Sequence, residues 1–108
     1  MNLLQGTLDL LVLRALAAEP RHGYGVVDWV RRTTRGTIEV EDGALYTSLH
    51  RMHERGWLTA EWGVSENNRR AKYYSLTAAG RARLAEAAAE WDRYAAAVAQ
   101  VLTAEDGA

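Results

Sequence analysis

The chain has 108 residues, 48% of them hydrophobic, and it contains no cysteine. This size predicts one domain with a modest core. The lack of cysteine excludes disulfide bonds and thiolate metal sites, and it is compatible with the cytoplasmic location that we expect. The formal net charge of −1 is unevenly spread: residues 1–19 carry −1, residues 20–79 carry +2 and residues 80–108 carry −2. Such a weakly basic middle segment would bind a nucleic acid with modest affinity per protomer, so two protomers would be needed.

The N-terminal segment predicts a first helix that is apolar on nearly all sides. Its apolar residues at helical spacing are Leu4, Leu8, Leu11, Ala15 and Ala18. Other apolar residues fill most remaining faces, and we expect such a helix to need more cover than a chain this short can offer. Asp9 and Arg14 interrupt the apolar run and no basic leader precedes it, so we expect neither a signal peptide nor a membrane span.

A second helix is predicted from Tyr24 to Val30, after a break marked by Pro20. It runs into a cluster of three arginines, Arg31, Arg32 and Arg35. These arginines can pair with the negative end of the helix dipole or contact phosphate, and the sequence leaves both open. Residues 37–40 predict a short strand beside the hairpin that comes later in the chain.

The third predicted helix begins at Asp42 as N-cap and ends before Gly56, which suits a left-handed residue after the last turn. Leu45, Leu49 and Met52 form its buried face. The opposite face is small and polar, with Ala44 and Tyr46 on its flanks, and consists of Gly43, Thr47, His50, Arg51 and Glu54. That face suits a helix that enters a DNA major groove, although an ordinary solvated face is the alternative.

A hairpin follows, with alternating residues 57–62, a second strand over residues 71–76 and a polar loop between them. The basic side chains at its tip are Arg69, Arg70 and Lys72. They can lie along a phosphate backbone, and a merely solvated tip is the alternative. A helix, a hairpin and a basic tip in this order predict a mainly α-helical winged helix-turn-helix domain with a small β-hairpin.

The last segment predicts a long helix with Thr77 as its N-cap. Apolar residues recur along it at spacings of three and four: Leu84, Ala88, Trp91, Ala95, Val98 and Leu102. We call these six residues the seam. A seam without a partner in its own chain predicts a symmetric homodimer, in which Leu4, Leu8 and Leu11 also take part. We therefore expect a DNA-binding domain over residues 1–76 and a dimerisation helix and tail over residues 77–108.

Enzymatic motifs are absent from the sequence. His50, His53 and Glu54 lack a well-placed further ligand for a metal ion, and no glycine-rich phosphate loop or nucleophile elbow occurs. We expect no catalysis, no metal and no cofactor. The alternatives to a DNA-binding protein are a winged-helix protein-interaction module and a small-aromatic-ligand-binding protein without DNA binding.

Four motifs carry a family resemblance: HGYGVVDWV at residues 22–30, GALYTSLHRMHERGWL at 43–58, EW at 61–62 and AKYYSLTAAG at 71–80. Together they resemble the PadR family of bacterial transcriptional regulators, in its short form. The resemblance implies a winged helix-turn-helix domain with a C-terminal dimerisation helix. It also implies a homodimeric repressor that a small hydrophobic or aromatic effector releases from a double-stranded DNA operator.

The resemblance also implies roles for single residues. Tyr46 and Tyr24 are similar to family tyrosines, and for each a backbone contact to DNA and a role within the protein are both open. Thr47, His50 and Arg51 would read base edges, with Arg51 suited to a guanine. Ala44 stands where the family usually has Thr and Thr47 where it often has Pro, so a hydroxyl contact is lost at 44 and one at 47 can replace it. In the returning strand, one of Tyr73 and Tyr74 should belong to the core.

Trp91 is the candidate effector-binding residue. Its indole would meet its counterpart near the two-fold axis of a dimer, and the resemblance implies that such an aromatic pair can sandwich a flat ligand. Packing of the interface alone is the alternative. We expect a pocket at this position to lack a charged residue that specifies the ligand.

Overall fold

The computed structural model describes residues 5–106, which form four α-helices and a three-stranded antiparallel sheet. The elements in chain order are α1 (Gln5–Ala18), β1 (Arg21–His22), α2 (Gly23–Thr33), α3 (Asp42–Glu54), β2 (Leu58–Val64), β3 (Arg70–Leu76) and α4 (Ala78–Leu102). The strand order is β1-β3-β2. This arrangement confirms the predicted mainly α-helical winged helix with a small hairpin.

The first helix is the centre of the domain. It packs against α2, α3, β3 and α4, so that Val12, Leu13 and Leu16 are buried within a single chain. The expectation that α1 needs more cover than a chain this short can offer is therefore wrong. Leu8 is only 6% exposed and Leu11 packs partly buried against the same core, whereas Leu4 lies outside the described residues.

The third strand of the sheet is β1, which corrects the predicted strand at residues 37–40. Arg21 and His22 occupy the edge of β3 opposite Tyr74 and Tyr73. Residues 37–40 have no strand structure, because β1 occupies the edge of β3. Instead, Val40 is buried in the core and the Ile38 N–H donates to the Thr34 hydroxyl at 3.0 Å. The segment is therefore held by side-chain contacts and not by a strand ladder.

The second helix starts at a capping histidine and ends in paired arginines. His22 Nδ1 accepts a hydrogen bond from the Gly25 N–H at 3.0 Å, which satisfies one of the N–H groups at the start of α2. Near the end of the helix, Arg32 at 2.8 Å and Arg31 at 3.0 Å donate to Asp28. These hydrogen bonds, that of Arg32 first, lower the pKa of the Asp28 carboxyl. Two of the three clustered arginines are thus occupied within the helix.

Both ends of α3 are set by local backbone chemistry. The N-cap is Glu41, one residue earlier than predicted. Asp42 lies in the first turn, where its negative charge interacts favourably with the positive end of the helix dipole. At the other end Gly56 has a φ of +79°, as predicted, and its N–H donates to His53 while the Trp57 N–H donates to Met52. This pair of hydrogen bonds is a Schellman motif, which ends the helix and turns the chain into β2.

The long helix α4 begins directly at the sheet. Thr77 is its N-cap, as predicted, since its hydroxyl accepts from the Gly80 N–H at 3.0 Å and donates to the Gly56 carbonyl at 2.7 Å. The Thr77 N–H also donates to the Trp57 carbonyl at 3.1 Å. Only Thr77 separates β3 from α4, so α4 is fixed to the winged helix at its first turn. Within residues 5–106, no helix combines the length and apolarity that crossing a membrane requires.

Candidate nucleic-acid interface

A groove of about 550 Å³ runs between the hairpin and the first turns of α2 and α3. Three exposed aromatic residues line it, Tyr24 from α2, Tyr46 from α3 and Trp62 from β2. The basic residues Arg69, Arg70 and Lys72 lie on its hairpin side. We call this surface the wing groove. It brings together five of the predicted DNA-binding residues with one that the sequence reasoning did not assign, Trp62.

The register of the hairpin explains why the wing groove has this lining. Leu58 pairs with Leu76 and Ala60 with Tyr74, and this face is packed into the core. Farther along the same face Trp62 pairs with Lys72, beyond the core, and both side chains are exposed. Because side chains on one face of a strand repeat every two residues, the face that is core at the base of the hairpin becomes groove at its tip.

The two tyrosines of β3 divide between the core and the opposite face. Tyr74 is 8% exposed, which confirms that one of the pair is core, and burial raises the pKa of its phenol. Tyr73 packs edge-on against His22 with the ring centroids 5.2 Å apart, and its hydroxyl donates to the Val64 carbonyl at 3.2 Å. Tyr73 therefore ties the two hairpin strands to the start of α2.

The hairpin tip is short and held in place. The strands extend farther than predicted, and the turn closes with the Ser65 N–H donating to the Arg69 carbonyl at 2.8 Å. Within the turn, Glu66 lies 3.3 Å from His22 Nε2. The pKa of the Glu66 carboxyl is lowered, first by its own backbone N–H and then by His22. The wing tip is thus attached to the N-cap of α2.

Tyr24 and Tyr46, the helix-side tyrosines of the wing groove, are both exposed. Tyr46 lies over Gly23 so closely that a Cβ at position 23 would be 2.7 Å from its hydroxyl oxygen, and this contact needs a glycine at the start of α2. Tyr24 also lies beside Arg31 and, after Asp28, helps to raise the pKa of that guanidinium. Each phenol thus has a contact within the protein and an exposed surface in the groove.

The outward face of α3 is open to solvent at Ala44, Thr47 and His50. The Thr47 hydroxyl donates to the Gly43 carbonyl at 3.0 Å, and His50 Nε2 lies 3.1 Å from Glu54. Both contacts are local to the helix and exposed, so an incoming base edge can replace them at small cost.

Arg51 does not face outward as predicted, and its position corrects that expectation. Its guanidinium forms an ion pair with Asp9 of α1, and only 20% of its side chain is exposed. The buried Ser48 hydroxyl donates to the same carboxylate at 2.6 Å. Helical spacing placed Arg51 on the outer face because it ignores an acidic partner 42 residues away. A lone Asp in an apolar helix was the signal that such a partner exists.

The seam of α4 is only partly covered. Leu84 packs against the core of its own chain, which corrects its assignment as purely a dimer contact, and Ala88 and Ala95 are partly buried. The other three seam side chains are exposed, Trp91 by 43%, Val98 by 40% and Leu102 by 79%. The distal half of the helix therefore carries an apolar stripe that one chain leaves in contact with solvent.

A second cleft, of about 440 Å³, lies between α1 and α4. Leu10, Trp91 and Tyr94 form its apolar part, and the Trp91 and Tyr94 ring centroids are 6.1 Å apart. Arg83 and Glu90 also line it and lie 3.5 Å from each other. Charged side chains therefore border the aromatic part of this cleft. Among residues 5–106, no three His, Asp or Glu side chains are grouped so that they could hold a metal ion.

The protein is a winged helix with a long C-terminal helix, and its exposed α3 face lies beside a groove of aromatic and basic residues. This is the architecture of a DNA-binding regulator. Residues 12–86 match the transcriptional regulator PadR-like family. A PadR family transcriptional regulator from Eggerthella lenta is 32% identical, with a TM-score of 0.78 over 94% of this chain and 86% of that chain. One from Clostridium difficile is 27% identical, with a TM-score of 0.74 over 88% and 97% of the two chains. The chain belongs to the PadR family.

A third solved structure extends the likeness in fold. The transcriptional regulator from Clostridium thermocellum has a TM-score of 0.81 over 89% of this chain and 93% of that chain, at 22% identity. The family consists of DNA-binding transcriptional regulators and not of enzymes, which confirms the predicted class. The protein is therefore a transcriptional regulator of the PadR type.

Proposed function

We propose that this protein is a homodimeric repressor that places α3 in the major groove of its operator and the wing groove on the adjacent phosphate backbone. The observation that carries the proposal is the wing groove itself, where exposed basic residues and three exposed aromatic side chains border the open face of α3. Phosphate contacts of this kind position a protein on duplex DNA, while base contacts specify the sequence.

The base-reading residues in this proposal are Thr47 and His50, supported by the open face around Ala44. Arg51 is also proposed as a guanine contact, but it reaches a base only if its ion pair with Asp9 opens or turns outward. Tyr24 and Tyr46 supply backbone contacts from the helix side of the wing groove. Arg69, Arg70 and Lys72 supply the charge.

The exposed distal half of the seam supports dimerisation through α4, because an apolar stripe of this length is stabilised when a second copy covers it. In this proposal, residues 1–76 form the DNA-binding domain and residues 77–108 form the dimerisation helix and tail. Two copies also double the phosphate contacts, which a chain with a net charge of −1 needs.

The test is a binding titration of the protein on duplex DNA from its own upstream region, repeated over a range of salt concentrations. Arg70→Ala should weaken binding to all duplexes alike and make the logarithmic salt slope shallower by about 0.9, the value for one lost phosphate contact. Arg93→Ala is the matched control, because Arg93 is exposed on α4 and outside the seam. Equal salt slopes for both variants would contradict the proposed surface.

His50→Ala tests the reading of bases. It should reduce discrimination against a substituted base pair by about 1–3 kcal/mol while leaving the salt slope in place. If the parent binds no duplex even at low salt, the remaining functions are a winged-helix protein-interaction module and a small-aromatic-ligand-binding protein.

We also propose that the cleft between α1 and α4 receives a small aromatic or hydrophobic effector that relieves repression. Its support is the exposed Trp91 beside Tyr94 and Leu10, with the Arg83 and Glu90 pair at the rim. A ligand there weakens DNA binding only if it prefers a dimer geometry that DNA does not. Tryptophan fluorescence should fall when a flat aromatic dye is titrated, and Trp91→Ala should abolish the response. Unchanged dye affinity in that variant would exclude this cleft.

A further inference from the structure

Trp62 occupies a position that packing within the chain does not explain. It is one of the largest apolar side chains in the protein, yet it is 56% exposed, on the face of the hairpin that borders the wing groove. The residues next to it on the same face of β2 are Ala60 and Val64, which are too small to cover an indole. A ring left open to water in the middle of a basic surface calls for a function outside the core.

Of the three basic residues on the hairpin side of the groove, Arg70 and Lys72 lie over this ring. The Arg70 guanidinium carbon is 4.3 Å from the Trp62 ring centroid, and Lys72 Nζ is 6.0 Å from it. The face of an indole attracts cations, so these two flexible side chains are gathered at one place before any partner arrives. Cations that are already positioned lose less rotational freedom when they bind a phosphate.

The opposite walls of the groove fit the same partner. Tyr24 and Tyr46 present exposed rings, and Glu66, the carboxylate that lines the groove, is already paired with His22 at 3.3 Å. Apolar ring surfaces with flanking cations match the repeating chemistry of a nucleic-acid strand, in which an apolar sugar alternates with an anionic phosphate.

We propose that Trp62 is a DNA-contact residue, whose ring packs against a deoxyribose of one backbone strand and positions Arg70 and Lys72 on the flanking phosphates. This inference rests on the proposed DNA-binding function and adds a residue and a task to it. A ring that only packs on the sugar would change affinity alone. A ring that positions the cations changes the number of phosphates neutralised as well, and the salt slope measures that number.

The experiment compares the parent with Trp62→Leu, Trp62→Phe and Trp57→Phe in anisotropy titrations on labelled upstream DNA at several salt concentrations. Trp57 is the matched control, because it also carries cations, Arg55 at 5.4 Å and Arg83 at 5.5 Å, but does not line the wing groove. We expect Trp62→Leu to bind about tenfold more weakly with a salt slope shallower by about one. Trp62→Phe, which keeps a ring, should stay within about threefold of the parent, as should Trp57→Phe.

Adding Arg70→Ala to Trp62→Leu separates positioning from packing. If the ring acts by holding Arg70, the double variant should bind more tightly than the product of the two single losses predicts. Independent losses with an unchanged salt slope would overturn the positioning role, and parent-like binding by Trp62→Leu would overturn the inference altogether. A parent that binds no duplex would refute the proposed function first, which is a distinguishable result.

A fluorescence measurement serves if Trp62→Leu fails to fold. DNA should change the tryptophan emission of the parent, and this change should be largely lost in Trp62→Phe at the same fraction bound. Retention of the full emission change in that variant would show that the DNA-sensitive indole is another one and would overturn the contact.

Discussion

Replacement of Gly80 by alanine tests the junction between the winged helix and α4. The added Cβ would lie 2.1 Å from the Trp57 carbonyl oxygen, and that backbone would have to retreat by about 0.9 Å to reach the 3.0 Å that real Cβ contacts require. The same oxygen accepts the Thr77 N–H. Overpacking costs about 1–3 kcal/mol and a weakened hydrogen bond about 1 kcal/mol, against a helix gain of up to about 1 kcal/mol. We expect a net loss of about 2 kcal/mol.

The assay is thermal unfolding followed by circular dichroism at one fixed protein concentration, since a dimer makes Tm depend on concentration. A loss of about 2 kcal/mol should lower Tm by roughly 10 °C in a chain of this size. Gly43→Ala is the control, because Gly43 is also in the first turn of its helix but has no atom within 4 Å of the added Cβ. That variant should unfold at or above the parent Tm. Equal Tm values for the two variants would refute the close-approach argument.

Three further predictions concern assembly and pH. Val98→Asp places a charge on the exposed part of the seam, so sedimentation should show a folded monomer, and an intact dimer would contradict the α4 interface. Because the pKa of Asp28 is lowered in the folded state, its carboxylate stabilises the fold at pH values above the ordinary pKa of 3.8, and this stabilisation is lost as the pH falls through the folded pKa. In urea unfolding below about pH 4, Asp28→Asn should therefore lose less stability than the parent. Because burial raises the pKa of Tyr74, the stabilisation by its neutral phenol is lost as the pH rises above the ordinary pKa of 10.0. The stability of Tyr74→Phe should therefore fall less in alkali than that of the parent. Identical profiles of stability against pH would contradict the burial argument.

The features that could be predicted from the sequence are those that local chemistry decides. Gly56 ends α3 because a left-handed residue is needed where the Schellman hydrogen bonds close, and Thr77 begins α4 because its hydroxyl reaches the Gly80 N–H. Leu45, Leu49 and Met52 are buried because a 3.6-residue period places them together on any helix. Each of these depends on residues a few positions apart.

The features that were wrong depend on contacts far along the chain. Residues 37–40 have suitable strand residues, yet the edge of β3 is taken by Arg21 and His22, and a two-residue strand leaves no periodic signal. Arg51 has an outward helical angle, but its long side chain turns back to Asp9. Trp62 lies on the same face of β2 as Leu58 and Ala60, so the alternating pattern gives it the same orientation as these core residues. It is exposed because the core does not extend as far as this end of the hairpin.

The single residue between β3 and α4 has a consequence for promoters. In the proposed dimer, no flexible hinge between wing and α4 absorbs a change in the distance or rotational phase of the two recognition helices. One base pair inserted between the half-sites turns one of them by about 35° and moves it by about 3.4 Å. In such a regulator a base substitution removes one contact, whereas a change in spacer length prevents the two recognition helices from binding both half-sites at once. Its operators are therefore expected to diverge in sequence while keeping the length of their spacers.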